Sequence, residues 1–272
     1  MNPNYTQNNN NHPTEALGLF SGKNPIPLKS TAFTGQLKGM MTHMQMVMVF
    51  ENQEQVSIEA VYTFPIPDGA VFLGLKLEMD NQVYTTVIMA RSEATESYEE
   101  TITDGNAALL LEEVSSGLYS MQVGNIPAES TIKVEYEYSL LHEWKGDLLR
   151  WHLPTVLAPR YGHSGLSPHH EPEVDLSIDH PFTFYLSVEG PLSKLACSSP
   201  SHQINNLNND QFLALTLQNE IDVLNRDIII QFHRQDLHQE VLSALYDHDL
   251  DGQFCGLLSL CAPHIEDYSP AP

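Results

Sequence analysis

Positive charge is scarce in this sequence: 12 Lys and Arg stand against 35 Asp and Glu, a formal charge of −23 over 272 residues. A field of that sign repels phosphate backbones and anionic lipid surfaces, which argues against nucleic acid and membrane surfaces as partners. The acidity reads first as solubility in a crowded or salty medium and names no partner. Cysteine is scarce too. Cys197, Cys255 and Cys261 are odd in number and contain no close CxxC pair, so they imply neither a disulfide framework nor a redox motif, and a reducing compartment fits. Long apolar runs are missing: AALLL and its like fall far short of a bilayer span, and MNPNYTQNNNNHPTEALG opens without a basic start or a signal-length apolar run. The expectation is a cytoplasmic protein with no membrane insertion.

Loops that mark common chemistries are lacking as well. There is no GxSxG elbow, no cysteine-protease context, and no Gly-rich phosphate loop between a strand and a helix. Thirteen histidines bring some Ser, His and Asp near one another by accident, so proximity alone is no argument for a hydrolase. No enzyme activity and no cofactor are expected.

What is present is strand pattern, in a chain 42% hydrophobic and so able to bury a large core. Residues 1–15 are Asn-rich and nearly free of apolar side chains, and a flexible tail is expected there. From Gln36, QLKGMMTHMQMVMVFE puts Met44, Met46, Met48 and Phe50 on one parity, a strand that fills an irregular core. VSIEAVYTFPIPDGAVFLGLKLEMDNQVYTTVIMA reads as three strands of a meander, broken at Pro65-Ile66-Pro67-Asp68-Gly69 and at Asp80-Asn81. Then RSEATESYEETITDG interrupts with helical spacing: Ala90, Ala94, Tyr98 and Ile102 recur every four residues, Ser92 is placed to cap the start, and Gly105 the end. Its acidic neighbours read as a solvated face. Strand grammar resumes in LYSMQVGNIP, STIKVEYEYSLL, LLRWHLPTVL, FTFYLSVEG, FLALTLQ and DIIIQFH, and no internal repeat is evident. The fold class is all-β, mainly antiparallel and sandwich-like, with one short amphipathic α-helix near 92–103.

Two metal patterns need weighing. YDHDLDG sets Asp247, Asp249 and Asp251 at positions one, three and five of a calcium loop with Gly252 at six, but Leu258 stands where the closing glutamate belongs. The preferred reading is a hairpin connection whose Asp-Gly permits a left-handed turn, with a calcium-binding regulatory module as the alternative. Cys255, Cys261, His264 and His248 form a poor zinc set, because five residues separate the two cysteines in an apolar strand, where both share one face. His163, His169 and His170 lie in a Gly/Ser/Pro-rich loop and read as solvated.

Four blocks occur in order: EAVYTFPIPDGAV, ARSEATESYEETITDGNAALLLEE, YSMQVGNIPAESTIKVEYEY and LPTVLAPRYG. Together they resemble the VIT domain, the vault protein and inter-alpha-trypsin module, over roughly residues 16–144, and the likeness is to intracellular members of that set. The residues that carry it are Tyr62, Phe64, Pro65, Pro67, Ala90, Tyr98, Leu110, Gly124, Asn125, Pro127, Pro159, Arg160 and Tyr161. Each reads as scaffold. Pro65 and Pro67 fix a strand exit, Gly124 or Asn125 can take a positive φ in a tight turn that Pro127 ends, and Arg160 can bond carbonyls or a carboxylate. The resemblance implies a non-enzymatic protein-interaction or scaffold module that acts beside a von Willebrand A domain. It divides the chain into a 1–15 tail, the 16–144 module and a 145–272 second β region. The metal-binding DxSxS of a von Willebrand A domain is absent, with DLSID at 175–179 the nearest string. That domain is therefore expected either further along a longer polypeptide or in trans.

Overall fold

The computed structural model describes residues 15–16, 18–21, 24–86, 91–157, 181–209, 212–234, 241–248 and 254–261. The expected tail up to residue 14, Ala90, Pro159, Arg160, Tyr161, the loop histidines, His264, Asp249 and Asp251 lie outside the described residues. In chain order the principal strands are β1 (Leu28–Lys38), β2 (Met41–Glu51), β3 (Ile58–Pro65), β4 (Val71–Met79) and β5 (Gln82–Thr85). After the helix α1 (Arg91–Thr103) come β6 (Ala108–Ser115), β7 (Leu118–Ile126), β8 (Thr131–Leu141) and β9 (Leu148–Leu153). The chain continues through β10 (Pro181–Glu189), β11 (Ile204–Asn208), β12 (Phe212–Leu217), β13 (Ile228–His233), β14 (Val241–His248) and β15 (Phe254–Cys261). The mainly-β expectation holds, with one α-helix among the described residues.

Alternation at period two decides the architecture. In β2 and β8, paired antiparallel from Thr131 with Glu51 to Leu141 with Met41, every second side chain points inward. Met44, Met46, Met48, Val134 and Tyr136 are at most 2% exposed, and the intervening Gln45, Glu135 and Glu137 face outward. These strands sit in the middle of a nine-stranded sheet of order β11-β12-β10-β1-β2-β8-β4-β5, with Asp222–Val223 pairing beside β10. Two smaller sheets cover its apolar face. One has five strands, Asn24–Ile26, Gly18–Ser21, β3, β7 and β6; the other has four, Trp144–Lys145, β9, β13 and Ala196–Ser198. Phe64 of the five-stranded sheet lies 4.2 Å from Tyr136 between ring centroids, and Trp151 of the four-stranded sheet 5.7 Å from Phe184. One continuous hydrophobic core results.

Two features depart from a simple meander. β3 and β4 do not pair: β3 joins β7 and Gly18–Ser21, whereas β4 joins β8 and β5. Prolines 65 and 67 cannot extend a central ladder, and they carry the chain from one sheet across to the other. By contrast Asp80 and Asn81, with φ of 51° and 62°, make the expected two-residue turn between β4 and β5. Second, β10 runs parallel to β1, from Phe182 beside Thr31 to Glu189 beside Lys38, while the other pairings among the described residues are antiparallel. The nine-stranded sheet thus crosses the 144–145 division expected from the sequence.

The helix begins at Arg91, so Ser92 lies inside its first turn and not before it, which corrects the capping role expected for that serine. Its end is as expected. Gly105 has φ 78°, its N–H donates to the Ile102 oxygen at 2.9 Å, and the Asn106 N–H donates to the Thr101 oxygen at 3.1 Å.

Candidate interaction groove

The helix rests on the outer face of the five-stranded sheet, and Gly124 sets how closely. A Cβ built at Gly124 would lie 2.7 Å from Ile102 Cγ1 and 3.2 Å from the Tyr98 hydroxyl oxygen. The glycine is there for space, and its neighbour takes the positive φ: Asn125 stands at 53°, where the ladder between β7 and β3 is bulged. VGNIP is thus a bulge at the end of a strand and not the tight turn expected. The Asn125 amide then caps the helix, Nδ2 donating to the Ile102 oxygen at 3.1 Å and to the Asn106 oxygen at 2.8 Å. Past the bulge, the Pro127 oxygen accepts from Asn52 Nδ2 at 2.7 Å and from Ser130 Oγ at 2.8 Å, and Asn52 Oδ1 accepts from the Glu54 N–H at 3.0 Å. Asn52 is 1% exposed and ties the two sheets together at their ends.

Aromatic rings lead from this core to an opening. Tyr62 stacks on Phe64 with centroids 5.1 Å apart, Phe64 on Tyr119 at 5.8 Å, and Tyr119 on Phe72 at 4.8 Å. Tyr62 and Phe64 are fully buried, whereas Phe72 and Tyr119 are half-buried and line a groove of about 1060 Å³. The groove runs along β6, with α1 on one side and the start of β4 on the other. Tyr98 reaches it from the helix. Burial, helped by the Glu59 carboxylate, pushes the Tyr98 hydroxyl up to about 12, and burial with Glu113 raises Tyr119, so both stay neutral donors. Charged side chains at the rim are mostly acidic: Glu112, Glu113, Glu135 and Glu137 with Lys76. Glu113 accepts from the Gly117 N–H at 3.2 Å, and Lys76 lies 3.5 Å from Glu135.

The structure brings together most of the residues singled out in the sequence. Tyr62 and Phe64 lie in the core, Gly124 and Asn125 meet the helix end, Tyr98 and Leu110 line the groove, and Pro65, Pro67 and Pro127 punctuate the strand ends. Asp247 falls in β14, paired with Cys255 of β15, and the rest of YDHDLDG beyond His248 lies outside the described residues. Cys255 and Cys261 belong to one strand, at even spacing. Sequence reasoning missed Asn52, Phe72 and Tyr119. A lone Asn just after a strand and aromatics on a half-buried parity are the only signals those positions offer.

No helix among the described residues is long and apolar enough to cross a membrane. Residues 28–138 match the vault protein inter-alpha-trypsin domain. Von Willebrand factor A domain-containing protein 5A of Rattus norvegicus is 31% identical over 53% of this chain and 18% of its own length. Its Mus musculus counterpart is 26% identical over 81% of this chain and 29% of its own length. Protein mono-ADP-ribosyltransferase PARP4 of Mus musculus is 23% identical over 69% of this chain and 10% of its own length. The chain thus spans less than a third of the length of these relatives. An M1 zinc metallopeptidase from Deinococcus radiodurans aligns over 95% of this chain and 51% of its own with a TM-score of 0.35 and 12% identity, too distant for shared chemistry to follow. The match to the vault protein inter-alpha-trypsin domain thus runs from the start of β1, at Leu28, to Tyr138 in β8.

Proposed function

We propose that this chain is a protein-interaction and scaffold unit without catalytic activity or a cofactor of its own, acting in a cytoplasmic setting. Its partner is a von Willebrand A domain, in the same polypeptide or a second one. The support lies in how the signature residues use their side chains. Tyr62 and Phe64 fill the core, Gly124 makes room for a helix, and Asn125 caps that helix. Such residues build a rigid platform, and platforms of this kind present surfaces. Two of the similar proteins carry von Willebrand factor A in their names, which supplies the class of partner. Within this reading Asp247 belongs to the end of a strand, and the 247–251 aspartates need no calcium.

The test is a titration of this chain with the separately expressed von Willebrand A domain of the rat 5A protein. A saturable one-to-one complex is expected. Failure to form it, or hydrolytic turnover by the purified chain that survives further purification, would overturn the proposal.

A further inference from the structure

The groove along β6 has the shape of a strand-binding site. Among the described residues β6 ends the five-stranded sheet and pairs on one side only, with β7. From Ala108 opposite Gly124 to Glu113 opposite Tyr119 its register is unbroken, and the bulge comes only between Glu113 and Ser115. Six consecutive residues therefore present a straight edge of backbone donors and acceptors. Sheets usually protect such edges by keeping them short, placing proline in them or covering them. The other edges of the two large sheets follow that practice: Asn24–Ile26 has three residues and contains Pro25, β5 has four, and β11 has five, four of them exposed. β6 has eight residues and no proline.

Space and chemistry beside this edge match an added strand. The groove of about 1060 Å³ touches both faces of β6, Leu109 and Leu111 on one and Ala108 and Leu110 on the other. Six to eight extended residues span roughly 20–26 Å. Alternate side chains of such a segment would meet the Phe72–Tyr119 stack on one face and Tyr98 of the helix on the other. Around them four carboxylates and one ammonium stand among the described lining residues, on a chain of net charge −23. That balance selects a cationic visitor.

We infer that the outer edge of β6 is a docking site for an extended, Lys- or Arg-bearing segment of a partner protein, which adds to the five-stranded sheet as a sixth strand. The inference rests on the interaction role proposed above and specifies where that role is carried out.

The probe is the peptide acetyl-(Lys-Val)4-amide, followed by titration and by hydrogen–deuterium exchange of the whole chain. Saturable binding is expected, with exchange slowed in residues 108–115 and affinity falling as salt is raised. The same peptide N-methylated at alternate residues, which keeps the charge and removes donors along one edge, should bind at least tenfold more weakly. Acetyl-(Glu-Val)4-amide should not bind. Ser97→Trp, an exposed helix position lining the groove, should weaken the Lys-Val peptide at least tenfold while leaving the thermal midpoint in place. Equal affinity for the N-methylated peptide, protection of β5 or β11 in place of β6, or indifference to Ser97→Trp would each overturn the inference. If the peptide fails to bind a chain that still forms the von Willebrand A complex, the groove is refuted and the interaction role stands; if both fail, the role falls too.

Discussion

Gly124 lies so close under Ile102 that a methyl group on the glycine would sit 2.7 Å from Ile102 Cγ1. The contact joins the end of strand β7 to the last turn of the helix, so the helix position is set by what residue 124 lacks.

Gly124→Ala should therefore cost about 1–3 kcal/mol, because an inserted methyl forces Ile102 off its rotamer or lifts the helix. Ile102→Ala in the same chain should recover part of that loss, with a coupling of at least about 0.5 kcal/mol in a double-mutant cycle by urea unfolding. Strict additivity would show that the two side chains do not meet.

Asn125 combines a positive φ with two hydrogen bonds to the helix end, and substitutions separate the two roles. Asn125→Gly keeps the backbone conformation and should lose about 1 kcal/mol with the cap. Asn125→Ala pays backbone strain as well and should lose about 2 kcal/mol. Asn125→Asp tolerates the φ but aims a carboxylate at two carbonyl oxygens, and should be no better than alanine. Amide exchange at Gly105 and Asn106 reports the cap directly; a glycine variant as damaging as alanine would remove strain from the account.

His142 is buried in the core beside Thr42, whose hydroxyl accepts from Trp151 Nε1 at 3.0 Å and lies 2.7 Å from His142 Nε2. With its oxygen already accepting, the hydroxyl proton is free to go to Nε2, which holds the imidazole neutral with its own proton on Nδ1. Burial pulls its pKa from 6.5 down to about 4. The unfolded chain then binds a proton that the fold refuses, so this contribution is complete above about pH 6.5 and is lost as pH falls toward 4, by roughly 1.4 kcal/mol for each unit. His142→Gln should show a shallower fall in urea midpoint between pH 7 and pH 5 than the parent. Identical slopes would mean that other groups carry the acid sensitivity.

Calcium should be without effect. Calorimetric titration of the parent chain and of Asp249→Ala is expected to give equal, dilution-sized heats, since Leu258 occupies the place of the closing acid and strands β14 and β15 flank the loop. A heat present only in the parent would restore the metal reading.

Much of the fold was legible because alternation is a local property. Met44, Met46 and Met48 declare their face within five residues, and Asp80-Asn81 declares its turn within two. Pairing partners are not local. Nothing in FTFYLSVEG says that it will lie parallel to a strand some 150 residues earlier, and nothing in FPIPDG distinguishes a turn within one sheet from a passage between two. Gly124 was recognised as special for the wrong reason, since conformational freedom and absence of bulk look the same in one letter. The groove was invisible for a related reason: it is made by Phe72, Tyr98 and Tyr119 from three separate elements, each half-buried and unremarkable by itself.

The parallel pairing of β1 with β10 also sets an order in time. During synthesis β2 follows β1 at once, but the neighbour that covers the other edge of β1 is complete only when Glu189 has been made. Until then a nascent chain holds an eleven-residue strand with one side open, a sticky template for its own copies on a crowded polysome. Closing so long a loop is slow, so β1 keeps that open side well after its antiparallel neighbour β2 has formed.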